Sequence, residues 1–92
     1  MTKARKITRT RLVVDPGFAD LVVWEVPQPI PGSTRSYKYR LSYVVKDVCR
    51  VSYDNERGKG DHCHLDGEEE PYEFRGLEQL LSDFWRDVNE RR

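Results

Sequence analysis

Both histidines of this chain, His62 and His64, lie two residues apart in the segment Asp61-His62-Cys63-His64. Alternate side chains of an extended strand point to the same face, so the two imidazoles would lie side by side with Cα atoms about 6.6 Å apart. Imidazole exchanges protons near neutral pH, which suits a general acid or a general base. The spacing therefore predicts that His62 and His64 are catalytic.

The same His-x-His spacing is also compatible with metal ligation, or with histidines that have no chemical role. A metal site would need a third ligand, for which Asp61 and Asp66 are close in sequence. Two imidazoles alone are weak evidence for a metal, and neither cysteine has a zinc-binding Cys-x-x-Cys spacing. We therefore predict no metal ligand and no cofactor, with metal ligation kept as a third interpretation.

The loop before the histidines carries candidate phosphate-binding residues. Arg57 and Lys59 alternate with Gly58 and Gly60. Glycine lets backbone amides approach an anion while the cations supply charge, although a plain solvated turn has the same composition. The residues predicted to support the site are Tyr53, Asp54, Asn55, Asp61 and Glu69. Asp54 and Asn55 are also typical of residues that cap a turn at a strand end.

Charge is unevenly distributed along a chain whose net charge is zero. Residues 1–50 contain ten Lys/Arg and four Asp/Glu, whereas residues 51–92 contain six and twelve, so the halves carry about +6 and −6. A basic block from Lys3 to Arg11 precedes the first acid, and its Arg9 and Arg11 are candidates for neutralising phosphates of a nucleic acid. Alternatively, the two halves simply attract each other in the fold.

Residues 7–14 and 18–26 are rich in Val, Ile, Leu and Thr, which predicts a hairpin around Asp15-Pro16-Gly17. In the second strand Phe18, Val22 and Trp24 share one parity, so we expect that face to be buried. Arg9 and Arg11 are expected to point outward. Three prolines in residues 27–33 predict an irregular connection.

Two further strands, at 37–45 and 48–54, alternate apolar and polar residues. Their apolar sets can share a face only with an odd-length loop or a bulge, and a three-residue loop over residues 45–47 would pair Leu41 with Val51 and Tyr43 with Cys49. Asp66-Gly67 predicts a two-residue hairpin turn that places Glu69 opposite His64. Pro71 indicates that the last strand lies at an edge.

A helix is predicted over residues 77–90, because apolar residues recur at helical spacing from Leu77 to Val88. The pattern indicates an α+β fold, an antiparallel sheet of about five to six strands packed against one C-terminal helix in two layers. We expect a single domain over residues 1–92, with a flexible basic tail at 1–6 and strands and loops at 7–75. No targeting segment or apolar run of membrane-spanning length is evident, so a cytoplasmic location and free thiols are expected.

Several segments together resemble a known family. They are Tyr53-Asp54-Asn55, Asp61-His62-Cys63-His64, Pro71-Tyr72-Glu73-Phe74 and Leu80-Leu81-Ser82-Asp83-Phe84. In this order they resemble the TumE-like toxins of prokaryotic type II toxin–antitoxin systems, over about residues 37 to 90. The resemblance implies a small cytosolic protein whose partner is a helix-turn-helix antitoxin encoded beside it, and it implies no catalytic assignment.

These observations lead to three functional hypotheses. The first is a toxin that binds RNA and cleaves it without metal, with His62 and His64 transferring protons and Arg57 or Lys59 holding the phosphate. The second is a non-catalytic module that binds a protein partner through its charged surfaces. The third is a metal-dependent hydrolase that uses the His-x-His pair. The sequence does not determine the oligomeric state.

Overall fold

The computed structural model describes residues 5–25, 37–56 and 60–92. These form strands β1 (Arg5–Val14), β2 (Gly17–Glu25), β3 (Tyr37–Val45), β4 (Val48–Glu56), β5 (Gly60–Leu65) and β6 (Glu68–Pro71), followed by helix α1 (Leu77–Asn89). The six strands form one antiparallel sheet in chain order. The predicted α+β fold with a single C-terminal helix is therefore confirmed. The predictions for residues 1–4, the connection 27–33 and the loop cations Arg57 and Lys59 lie outside the described residues.

The sheet has two unlike faces. Helix α1 packs on the first, which we call the helix-packed face, through the fully buried side chains of Leu80, Phe84 and Val88. The strands contribute alternate residues to this face: Ala19, Leu21, Val23, Tyr39, Leu41, Tyr43, Val51, Tyr53 and Cys63. Because strand side chains alternate, the residues between these belong to the opposite face, which we call the open face.

The predicted orientation of β2 is wrong. Ala19, Leu21 and Val23 form part of the core, so Phe18 and Trp24 belong to the open face and are partly exposed. Both faces of this strand are apolar, and its own pattern cannot choose between them. The choice follows from pairing with β3, where Leu21 lies opposite Leu41 and both are buried.

The predicted bulge between β3 and β4 is confirmed, but the predicted pairs are displaced by two residues. Val45 pairs with Val48 across a two-residue turn, and the register shifts between Tyr43 and Val44. Tyr43 consequently pairs with Val51 rather than Cys49, and Leu41 pairs with Tyr53. Arg50, which has no Cα partner on β3, is the extra residue that brings both apolar sets onto the helix-packed face.

The β5–β6 hairpin has the predicted register, with Glu69 opposite His64. Strand β6 is the last of the sheet, which agrees with the edge position that Pro71 indicates. Cys49 and Cys63 are free thiols, as expected. Within the described ranges, α1 is too short and too polar to cross a bilayer.

Hydroxyl groups of two tyrosines bind the helix to the sheet. Tyr53 donates a hydrogen bond to the buried Asp87, and Tyr72 donates one of 2.5 Å to Asp83. Burial and these bonds to carboxylates raise the pKa of both tyrosines above the ordinary value, so both remain donors at neutral pH. The helix therefore has a fixed position on the sheet, and the open face stays outside its reach.

Candidate functional site

Two rows of residues that pair from strand to strand cross the open face. The first row is Arg9, Val22, Arg40, Asp54 and His62. The second row is Arg11, Asp20, Ser42, Ser52, His64 and Glu69. Six of the residues singled out from the sequence thus share one face: Arg9, Arg11, Asp54, His62, His64 and Glu69. The basic residues lie at the β1 end and the histidines at the β6 end.

The imidazole of His62 is held from both sides. Its Nε2 lies 2.7 Å from Oδ1 of Asp54, its direct neighbour on β4, and 3.6 Å from Oε2 of Glu69. Its Nδ1 lies 3.1 Å from the carbonyl oxygen of Gly60. A carbonyl oxygen accepts and cannot donate, so Nδ1 carries hydrogen and Nε2 faces the carboxylates. With 7% of its side chain exposed, His62 is fixed in orientation.

His64 is more accessible and faces the same acid. Its Nε2 lies 3.7 Å from Oε2 of Glu69, and its Nδ1 lies 3.5 Å from Oγ of Ser52. Of its side chain 38% is exposed, and its ring centre lies 5.4 Å from that of His62 at an interplanar angle of 80°. Both Nε2 atoms therefore approach one carboxylate oxygen of Glu69.

One oxygen in this cluster lacks a hydrogen bond. Oδ1 of Asp54 is buried and, although it lies 2.7 Å from His62 Nε2, accepts no hydrogen bond from any described residue. A buried carboxylate oxygen in this condition is unfavourable unless a cation balances it. The cluster of Asp54, His62, His64 and Glu69 can therefore transfer protons or bind a cation.

Two open depressions lie at the cluster, one beside Asp54 and one beside His62. One, of about 310 Å³, is lined by side chains that include Trp24, Lys38, Arg40 and Asp54. The other, of about 370 Å³, is lined by residues that include His62 and Glu69. His62 thus belongs to the wall of a depression that solvent can enter.

Sequence reasoning missed Trp24, Lys38 and Arg40 as neighbours of the site. The alternation of β3 did indicate a polar, basic face that includes Lys38 and Arg40. Trp24 was assigned to the wrong face of β2, which concealed the adjacency. In the structure the Lys38 ammonium lies 5.8 Å from the centre of the Trp24 ring.

The basic end of the face is partly paired. Arg11 lies 3.6 Å from Asp20, and its guanidinium carbon lies 4.6 Å from the centre of the Phe18 ring. Even so, 65% of the Arg11 side chain is exposed. Exposed ion pairs of this kind are weak, so the guanidinium stays available to an anion.

Three of the predicted supporting residues project from the strands toward the helix-packed side. Tyr53 donates a hydrogen bond to Asp87. The buried Asn55 donates a hydrogen bond of 2.5 Å to the Tyr37 carbonyl oxygen and accepts one of 2.9 Å from the Tyr39 backbone amide. Asp61 accepts a hydrogen bond of 2.8 Å from the Tyr39 hydroxyl. These contacts stabilise the strands that carry Asp54 and His62.

Asp66, which the sequence suggested as a third metal ligand, instead forms ion pairs with two arginines. Its carboxylate lies 2.6 Å from Nε of Arg50 and 2.9 Å from Nε of Arg91. The bond from Arg50, with that from Arg91, holds the pKa of this carboxyl below its ordinary value despite slight desolvation. Asp66 therefore fixes the hairpin turn to the C-terminal end of the helix.

Comparison with known proteins identifies a family for this fold and cluster. The family model described as Toxin TumE matches residues 1–92, the whole chain. Neither the curated proteins nor the solved structures that were searched contain a match. Because TumE is the toxin of a toxin–antitoxin system, a cognate antitoxin is implied as a partner. The chain therefore belongs to the toxin TumE family.

Proposed function

We propose that this toxin acts on RNA, which it binds across the open face and cleaves beside His62 and His64. The observation that carries the proposal is the arrangement of two rows of paired residues, which share the face opposite α1 and lead from Arg9 and Arg11 to the two imidazoles. Because RNA is extended and anionic, a basic surface that leads to proton-transferring groups suits it.

Binding would use charge and stacking. Arg9, Arg11, Lys38 and Arg40 supply cations to the phosphates, and Trp24 supplies an aromatic surface to a base. Such binding is tolerant of sequence and decreases with salt, because each phosphate contact releases counterions. Arg57 and Lys59, which lie between β4 and β5 in the sequence, remain proposed phosphate contacts.

In its metal-free form the reaction is a transesterification. The 2′-oxygen forms a bond to phosphorus while the bond from phosphorus to the 5′-oxygen breaks. One imidazole takes the 2′-hydroxyl proton, and the protonated second imidazole gives its proton to the leaving 5′-oxygen. His64 is the more accessible of the two, and Asp54 lies 2.7 Å from Nε2 of His62.

For the partner, we propose an antitoxin that carries a helix-turn-helix domain, with both proteins in the cytoplasm, where RNA is translated. The check is whether the reading frame beside that of the toxin encodes a small helix-turn-helix protein, and whether the two products copurify. A neighbour without that domain that still copurifies would remove the assignment of antitoxin type and leave the RNA proposal untouched.

The RNA proposal is tested with purified full-length protein and an end-labelled oligoribonucleotide. We expect cleavage by the wild type, a loss of about 100-fold or more in His64→Ala, and wild-type cleavage in Glu68→Ala. Glu68 is the control because it lies in the same hairpin, is exposed, and pairs with Leu65 rather than His64.

A second substrate with 2′-deoxy sugars separates the chemistries. Transesterification requires the 2′-hydroxyl, so the metal-free relay predicts that this substrate stays intact. If the wild type cuts neither substrate, with or without added divalent metal, but binds its antitoxin, the RNA proposal is overturned in favour of a non-catalytic interaction module.

A further inference from the structure

We infer that Asp54, His62, His64 and Glu69 form a binding site for one divalent transition-metal ion. The inference deepens the proposed function, because it names a metal ion as the group that binds at the reaction centre. Only the catalytic consequence of metal binding rests on the proposed function. The binding itself is a property of the cluster and can be measured without RNA.

The first argument is the orientation of the two imidazoles. Nδ1 of His62 donates to the Gly60 carbonyl, and Nδ1 of His64 lies near Ser52 Oγ, so both Nε2 atoms point into the cluster. Metal-binding histidines typically have this arrangement, in which the second nitrogen is bound to a carbonyl, carboxylate or other fixed group. For His62 it leaves Nε2 close to oxygens of Asp54 and Glu69, and a cation is the natural neighbour of all three groups.

The second argument is distance. Ligand atoms of His62, His64 and Glu69 all lie within 4.8 Å of one another. The two Nε2 atoms lie 3.6 Å and 3.7 Å from the same oxygen of Glu69. An ion with bonds of about 2.1 Å separates neighbouring ligands by about 3.4 Å in a tetrahedron and about 3.0 Å in an octahedron. The His64 and Glu69 side chains are accessible and would rotate toward the ion to reach these values.

The third argument is the unsatisfied oxygen of Asp54. Oδ1 lies 2.7 Å from His62 Nε2, close to the separation of adjacent ligands on an octahedral ion, yet no hydrogen bond joins the two atoms. A metal ion bound beside this pair would satisfy both lone pairs at once. Asp54 lies outside the three residues whose ligand atoms are mutually within 4.8 Å, so it would become the fourth ligand, contributed by the strand next to the histidines, as the cluster contracts around the ion.

The ligand set indicates the class of ion. Two imidazole nitrogens with carboxylate oxygens suit Zn²⁺, Mn²⁺, Fe²⁺ or Co²⁺, whereas Mg²⁺ and Ca²⁺ prefer oxygen ligands alone. Two carboxylates also balance the charge of a divalent cation. The ion would line the depression beside His62, where a further ligand position is open to water or a phosphate oxygen. Such an ion supplies an activated water for phosphodiester hydrolysis, and the histidines then act as ligands rather than as proton carriers.

The test is calorimetric titration of tag-free full-length protein with ZnCl₂, repeated with MgCl₂ and supported by the visible spectrum with CoCl₂. We expect one Zn²⁺ per chain, Zn²⁺ affinity at least about 100-fold above that for Mg²⁺, and Co²⁺ bands of a nitrogen- and oxygen-ligated ion. Wild-type protein that binds no Zn²⁺ or Co²⁺ would overturn the inference.

Variants identify the ligands. His64→Gln and Glu69→Gln should each weaken Zn²⁺ binding at least about 10-fold, while Glu68→Gln should bind as the wild type does. Both replaced side chains are accessible, so the fold should persist, and circular dichroism checks this. Equal binding by all four proteins would place the ion elsewhere and overturn the assignment.

The two proposals fail differently. Protein that binds no metal but cuts RNA in the presence of a chelator would overturn the metal site and retain the metal-free relay. Protein that binds Zn²⁺ through these ligands but cuts no RNA would overturn the proposed function and retain the metal site. Cleavage of the 2′-deoxy substrate in the presence of Zn²⁺ would support two conclusions. The protein is a nuclease, and its reaction is a metal-assisted hydrolysis.

Discussion

The two faces of the sheet use polar residues in opposite ways. On the helix-packed side, Tyr53 is bound to Asp87 and Tyr39 to Asp61, so these polar groups have partners within the protein. On the open face, Asp54 retains an unsatisfied oxygen beside two imidazoles. Tyr53 and Asp54 are adjacent in sequence, and strand alternation alone sends them to opposite faces. We conclude that the helix-packed face provides stability and that the open face is available for function.

The largest predicted effect on stability belongs to the helix-packed face. Phe84 is fully buried and packs edge-on against Tyr53, with ring centres 6.1 Å apart. Phe84→Ala should lower the free energy of unfolding by about 3–5 kcal/mol, because it removes contacts and leaves a cavity. Urea denaturation measures this. Phe18→Ala on the open face is the control. Because Phe18 is partly exposed, this substitution should lower the free energy of unfolding clearly less, and equal decreases in the two variants would contradict the distinction between the faces.

A smaller effect is expected from the hydroxyl of Tyr53. Tyr53→Phe keeps the ring but leaves the buried Asp87 carboxylate without this donor, which should cost about 1–3 kcal/mol of unfolding free energy. In a double-mutant cycle with Asp87→Asn, the combined loss should be smaller than the sum of the single losses. Strict additivity would show that the hydrogen bond does not stabilise the docked helix.

The smallest effect on stability should come from the basic end of the open face. Arg11→Ala should change the unfolding free energy by less than about 0.5 kcal/mol, because its ion pair with Asp20 is exposed. Its effect should instead appear in RNA binding. The slope of log affinity against log salt should fall by about 0.7 for one lost phosphate contact with a single strand.

The matched control for that measurement is Arg75→Ala. Arg75 is also exposed and paired, at 2.6 Å from Glu73. It lies in the segment that connects β6 to α1, outside the two rows of the open face. Its slope should equal that of the wild type. A slope reduced by Arg75→Ala and not by Arg11→Ala would move the RNA-binding surface away from the open face.

The fold was predictable where one face of an element is clearly apolar. The stripe from Leu77 to Val88 predicted α1, the alternation of β3 predicted its buried face, and Asp66-Gly67 predicted the register that places Glu69 opposite His64. The orientation of β2 was not predictable, because Ala19, Leu21 and Val23 compete with an equally apolar set. Only the neighbouring strand decides between them.

The residues of the candidate site were predictable from the sequence, but the strand pairing that brings them together was not. The His-x-His spacing places His62 and His64 on one face, but the pairing of Asp54 with His62 depends on how β4 connects to β5. That connection is polar and glycine-rich, so several lengths of turn suit it equally. The β3–β4 bulge similarly shifts every pair from Tyr43–Val51 to Arg40–Asp54, which alternation within one strand does not reveal.

The most direct test of the account compares His64→Ala with Glu68→Ala, two substitutions on one hairpin that differ in the face they alter. The measurement is the rate of RNA cleavage by purified proteins shown to unfold at the same urea concentration. We predict a rate at least about 100-fold below wild type for His64→Ala and an unchanged rate for Glu68→Ala. Equal, wild-type rates in both proteins would contradict the claim that the open face carries the chemistry.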